Sequence, residues 1–134
     1  MTKLDEIEGI GPSYASALKN AGIDTVEELL ETGGAPAGRD TIAEKSGVSA
    51  KLILEWVNHA DLMRIKGVGS EYADLLEAAG VDSVPELAQR NAASLTEKLE
   101  AANETKNLVS RVPNEAAVTA WIAEAKTLPK AVHH

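Results

Sequence analysis

The sequence predicts an all-α protein made twice from one helical unit. Three observations carry this reading. A glycine-punctuated phrase recurs almost unchanged, apolar residues keep helical spacing, and helix start and stop residues fall at matching intervals. The first phrase is IEGIGPSYASALKNAGI from Ile7, and the second is IKGVGSEYADLLEAAGV from Ile65. At a shift of 58 positions, 12 of the 23 residues from Ile7 to Leu29 are identical, with no gap. Identity this dense reflects duplication of a folding unit that buries its apolar face against its neighbours or its twin. Further along, SAKLILEWV from Ser49 aligns with NEAAVTAWI from Asn114, and Trp56 falls opposite Trp121. The shift is now 65, which places seven extra residues in the second copy, expected within NETKNLVSRVP.

Each element of the first copy has a local reason. A short helix is expected over about Lys3 to Glu8. Gly9-Ile10-Gly11 is a tight hairpin, because glycine reaches backbone angles closed to other residues. Pro12 suits the first turn of the next helix, whose apolar stripe is Tyr14, Ala17, Leu18 and Ala21. Gly22 stops it. Thr25 with Glu28 has capping-box spacing and opens VEELLET, and Ser83 with Glu86 repeats the signal. GGAPAG reads as a loop, followed by a short helix near RDTIAEKS. Ser49 then caps AKLILEWVNHADLM, with Leu52, Ile53, Trp56 and Val57 on one face. In the second copy Asn114 takes the cap and Pro113 marks the boundary. The expectation is about five short helices per unit and no strand. The units are residues 1–61 and 62–134, joined near Leu62 to Lys66 and packed as one pseudo-symmetric bundle.

Composition narrows the function. The chain has 134 residues, 44% hydrophobic and 25% charged, which suits a soluble globular protein. Phenylalanine is absent, so Leu, Ile, Val and Ala must fill the core. Absence of cysteine excludes disulfides, thiolate nucleophiles and zinc–thiolate sites, and fits a cytoplasmic setting. No run approaches the roughly 20 apolar residues of a membrane span, and MTKLDEIEG lacks the apolar run of a signal peptide. The net charge of −8 lowers the expectation of a polyanion partner.

Helix, Gly-apolar-Gly, helix resembles the helix-hairpin-helix motif of DNA repair and recombination proteins. Ile7, Gly9, Ile10, Gly11, Pro12, Ala15 and Leu18 carry the resemblance, then Ile65, Gly67, Val68, Gly69, Ala73 and Leu76. The resemblance implies backbone N–H groups offered to a phosphate at a helix N-terminus, without base readout. Nearly the whole chain, including ILEWVNHADLMRIKGVG and LAQRN, also resembles the bacterial domain of unknown function 4332 family, built from tandem helix-hairpin-helix units. That resemblance implies the fold and no particular activity. The candidate phosphate-binding hairpins are Gly9, Ile10, Gly11 and Ser13, and Gly67, Val68, Gly69 and Ser70. Arg64, Lys66, Lys106 and Arg111 are the candidate supporting cations.

Both hairpins depart from the DNA-binding pattern. That pattern places Lys or Arg just after the second glycine, where this chain has Pro12-Ser13 and Ser70-Glu71. Residues 1–32 hold two basic and seven acidic groups, so the first hairpin lies in the most acidic stretch. Each phosphate contact needs compensating positive charge. Gly-apolar-Gly is also the tightest way to join two short helices, with Ile10 or Val68 plugging the core, and both readings stand.

Other chemistry is sparse. His59 has no second histidine at ligand spacing, and His133 and His134 are assigned no function. Tyr14 and Tyr72, like Trp56 and Trp121, occupy equivalent positions that suit packing. Glu27, Glu28 and Glu31 form a solvated face or meet a basic partner. No nucleophile sits with a base, so no catalytic residue, metal, cofactor or small-molecule substrate is expected. The leading expectation is a non-catalytic interaction module docking to a protein. The alternative is weak, sequence-nonspecific nucleic-acid (DNA) binding through the second hairpin.

Overall fold

The computed structural model describes residues 2–134, and all regular elements among them are helical. A 3₁₀ turn, Leu4–Glu6, precedes α1 (Pro12–Asn20), α2 (Val26–Gly33), α3 (Pro36–Ser46) and α4 (Ala50–Leu62). Then follow α5 (Ser70–Ala78), α6 (Val84–Ala88), α7 (Ala92–Lys106) and α8 (Glu115–Ala125). The chain divides into two compact units, Met1–Asp61 with Ala131–His134, and Leu62–Lys130. No helix among the described residues is long and apolar enough to cross a membrane.

In the first unit, α3 packs against both α1 and α2. Its core includes Ile7, Leu18, Leu29, Ile42, Ile53 and Trp56, each at most 4% exposed. Burying each such side chain contributes about 1.5–3 kcal/mol. Two expectations are corrected here. The Lys3–Glu8 helix is only the three-residue 3₁₀ turn, because Ile7 already leaves helical geometry at φ −78°, ψ 125°, ahead of the positive φ at Gly9. Most of the GGAPAG loop is helix, since Pro36 starts α3 after just Gly34 and Ala35. The tight α2–α3 turn needs Gly38, where a Cβ would collide with the Thr32 carbonyl.

The expected second unit also loses its last four residues to the first. Buried Arg39 donates to the Gly33 and Gly34 carbonyls at 2.9 and 3.1 Å, and to the His133 carbonyl at 2.7 Å. The His133 N–H returns a bond to the Gly34 carbonyl, and Val132 is buried. A buried guanidinium needs such acceptors, and this set includes the tail.

In the second unit α8 packs on α6 and α7, and α5 packs on α7. The core gathers Leu62, Ile65, Leu75, Leu76, Leu87, Leu95, Leu99 and Val118, among others. Among the described residues each unit has four α-helices, with the 3₁₀ turn in addition in the first; Met63 to Lys66 are turn and bend, with no helix. The extra residues of this unit divide between two places. Helix α7 has 15 residues against 11 in α3, and the linker before α8 is longer than the one before α4.

The sequence repeat is a repeat of local geometry. Gly67 has φ +90°, against +93° at Gly9, and Gly80 has +93°, against +85° at Gly22. Ile10 N–H donates to Ile7 O at 3.1 Å, and Val68 N–H to Ile65 O at 3.0 Å. Thr25 and Ser83 accept from the Glu28 and Glu86 N–H groups, so both N-caps form; Glu28 accepts in turn from the Thr25 hydroxyl, and Glu86 from the Asp82 N–H. Ser49 and Asn114 cap as expected, accepting from Leu52 and Ala117.

The two glycines of a hairpin do different work. Gly9 needs its positive φ, whereas Gly11 is ordinary extended backbone at φ −88° with nothing within 4 Å of a Cβ. Gly9→Ala is expected to destabilise the protein by about 1–2 kcal/mol. Gly11→Ser, which adds a better N-cap, should stay within about 0.5 kcal/mol of the parent. Denaturant unfolding of the two variants checks this; equal losses would refute the division of roles. A second prediction concerns Glu27. Its carboxylate accepts from the Thr2 N–H and hydroxyl at 2.8 Å each, and these bonds hold its pKa below the ordinary 4.5. The resulting stability is present above pH 4.5 and is lost as pH falls through the lowered folded value. Glu27→Gln should therefore be less stable than the parent near about pH 7, with the gap closing near about pH 3 in urea titrations.

Candidate functional site

The hairpins place their residues in two layers. Ile10 and Val68 are 3% and 4% exposed, so each apolar middle residue plugs its core. Gly9, Gly11 and Ser13 are exposed, as are Gly67 and Gly69, with Ser70 half-buried. Behind each hairpin stands a buried tryptophan. A Cβ at Gly9 would lie 3.8 Å from Trp56 Nε1, and one at Gly67 3.4 Å from Trp121 Nε1. A tyrosine from the following helix meets each indole. The Tyr14–Trp56 centroids are 5.0 Å apart at 66°, and the Tyr72–Trp121 centroids 5.4 Å at 51°. The exposed hairpin backbone is thus mounted on a rigid aromatic pair.

Helices α1 and α5 begin at Gly11 and Gly69 with no side-chain cap. First-turn N–H groups have no acceptor within their own helix. By contrast α2, α6, α7 and α8 are all capped by a side-chain oxygen. Both hairpins therefore end in a helix start without a side-chain cap.

The supporting cations do not gather as one set. Arg64 Nη2 donates to the Pro129 carbonyl at 2.8 Å, which holds the guanidinium on that segment. The Lys66 N–H donates to Glu124 Oε1 at 3.0 Å, so a carboxylate from α8 already engages the second hairpin. Lys106 is exposed in the last turn of α7. Only Arg111 joins the hairpin in one feature, a groove of about 430 Å³ lined by Gly67, Tyr72, Arg111, Asn114 and Trp121. Val112, Pro113 and Ala117 complete its walls.

The loop after α7 builds that groove. Asn107 leaves the helix in the left-handed region at φ 49°, ψ 50°. Asn103 then holds Val109 at both ends: its Nδ2 donates to Val109 O at 3.0 Å, and its Oδ1 accepts from Val109 N–H at 2.9 Å. Val109 and Pro113 are buried, and the Tyr72 hydroxyl donates to the Arg111 carbonyl at 2.9 Å. The first unit has no such loop, and Tyr14 is 42% exposed.

Family comparison agrees with this geometry in extent. The family model described as Domain of unknown function (DUF4332) matches residues 8–128. The chain belongs to this family. Comparison with curated proteins and with solved structures finds no match. The family match spans both hairpins and the groove loop, and assigns none of them an activity.

Sequence reasoning placed the hairpins but missed Glu124 and Asn103. Nothing in the sequence links Glu124 to a backbone amide 58 residues away. Asn103 had a fainter signal, a second asparagine four residues later at the helix end. Asn103→Ala should cost about 1–3 kcal/mol, because it leaves the polar groups of buried Val109 unsatisfied. Amide exchange should accelerate at Val109 and Arg111 while amides of α1 to α4 keep their protection. Unchanged exchange at Val109 would show the loop is held otherwise.

Proposed function

We propose that this chain is a non-catalytic interaction module that docks onto a protein partner through the mouths of its hairpins. One observation carries the reading. The hairpin with basic residues beside it has its Lys66 amide engaged by the Glu124 carboxylate. A phosphate arriving there would meet a negative charge and compete for a donor already used. The first hairpin lies in the stretch with two basic and seven acidic residues, which disfavours a polyanion further.

The second glycines support an approach from outside. Neither Gly11 nor Gly69 has positive φ, and neither would crowd a Cβ. Packing does not demand glycine at either site, yet both copies have it. A helix start with glycine at the N-cap suits close approach by another backbone or a carboxylate side chain. The acidic first copy suits a partner with a basic face. A cysteine-free chain suits a reducing compartment such as the cytoplasm.

The test compares the parent with a Gly11→Ser, Gly69→Ser double variant, which caps both helix starts without altering the fold. A specific protein should be retained from native lysate by the parent and lost by the variant. Recovery of nucleic acid alone would overturn the proposal. In parallel, a labelled poly-dT oligonucleotide should give no stable complex at about 0.15 M salt. A complex abolished by Lys66→Glu would establish the nucleic-acid reading instead.

A further inference from the structure

The groove of the second unit is where the two copies differ most in what they can bind. Both have the same tyrosine–tryptophan pair behind the same hairpin. Only the second adds a loop that walls the pair in and sets an arginine at the edge. Its volume of about 430 Å³ falls in the range of about 300–1,000 Å³ typical of ligand sites. The lining is mixed in the usual way: Val112, Pro113, Ala117 and the two rings are apolar, with Arg111 and Asn114 as polar groups. The Arg111 backbone is fixed by Tyr72, while its guanidinium makes no hydrogen bond or ion pair among the described residues. The Asn114 Oδ1 is used by the Ala117 N–H, which leaves its amide NH₂ as a donor.

We propose that this groove binds an extended peptide segment in which an apolar side chain lies next to an Asp or Glu. The inference deepens the protein-docking reading and rests on it. The apolar side chain packs on the groove wall formed by Tyr72, Val112 and Ala117, over the buried Trp121. The neighbouring carboxylate meets the Arg111 guanidinium, whose two parallel N–H bonds match a carboxylate. The peptide backbone runs past Gly67 and the Asn114 amide. Single-stranded nucleic acid fits less well. The two rings pack at a tilt of 51° and Trp121 is 5% exposed, so no indole face is open for a base to stack on. One arginine does not balance a chain of phosphates, and Glu124 lies on the same hairpin.

The test is panning of a random heptapeptide library against the full chain, followed by binding measurements on synthesised winners. Enriched peptides should place an apolar residue within two positions of Asp or Glu. Arg111→Glu should weaken them about tenfold or more. Lys45→Glu changes net charge equally but lies on the exposed side of α3, outside the groove lining, and should leave binding unchanged. The chain has two tryptophans, one per unit, so NMR supplies a readout independent of any variant. Peptide should shift the indole N–H signal of Trp121 and leave that of Trp56 in place. The proposal is overturned by enrichment of basic or purely apolar peptides, by no enrichment, by equal binding to Arg111→Glu, or by an unmoved Trp121 signal. It is likewise overturned if poly-dT competes for the groove and binds it more tightly than any peptide. If protein retrieval stays sensitive to the glycine substitutions while the groove fails, the groove alone is wrong. If the groove binds peptide and retrieval ignores those substitutions, the hairpin-mouth reading alone is wrong.

Discussion

Each unit depends on one backbone torsion. Gly9 and Gly67 turn the chain through positive φ, at +93° and +90°, directly in front of an indole nitrogen. That turn sends Ile10 or Val68 inward and brings the next helix to its start two residues later. Remove the torsion and three things fail together: the apolar plug, the angle between elements, and the exposed backbone beyond them. A left-handed residue is costly for any L side chain, so glycine is the natural solution. The tryptophan behind it limits what could replace that glycine even if the torsion were tolerated.

From this frame the units diverge by what surrounds the hairpin. The first carries Glu8 immediately before its glycine, and the second carries Lys66. The lysine would seem to favour anions, yet its own amide is bound to Glu124. Side-chain charge and backbone occupancy thus point in opposite directions at the same residue. The longer linker after α7 then adds a walled groove to one copy and leaves the other open. The two hairpins share their local geometry, and the second carries the added groove.

Much of the fold was legible in the sequence because its signals are local. The N-caps at Thr25, Ser83, Ser49 and Asn114 and the stop at Gly22 all act within a turn or two. Errors arose where local signals mislead. Gly33 through Gly38 looks like a loop by composition, but Pro36 is a favourable helix opener and Gly38 is needed for close approach. The site was less legible than the fold. The hairpin residues could be named, but not which glycine carries the strain, and not that Arg64 is held by Pro129. Such long-range pairings leave no periodic trace. Arg111 was visible as a charge, while its place beside Tyr72 depends on an inserted loop whose path no spacing rule gives.

Arg39 has a consequence for how the molecule is made. Its guanidinium binds two carbonyls nearby and a third 94 residues downstream, at His133. On the ribosome the first unit emerges early, with its helices and apolar residues in hand. Its last acceptor appears only after every residue of the second unit has been synthesised. The second unit, Leu62–Lys130, draws on one continuous stretch and can close as soon as it emerges. The copy that begins first is therefore the copy that finishes last.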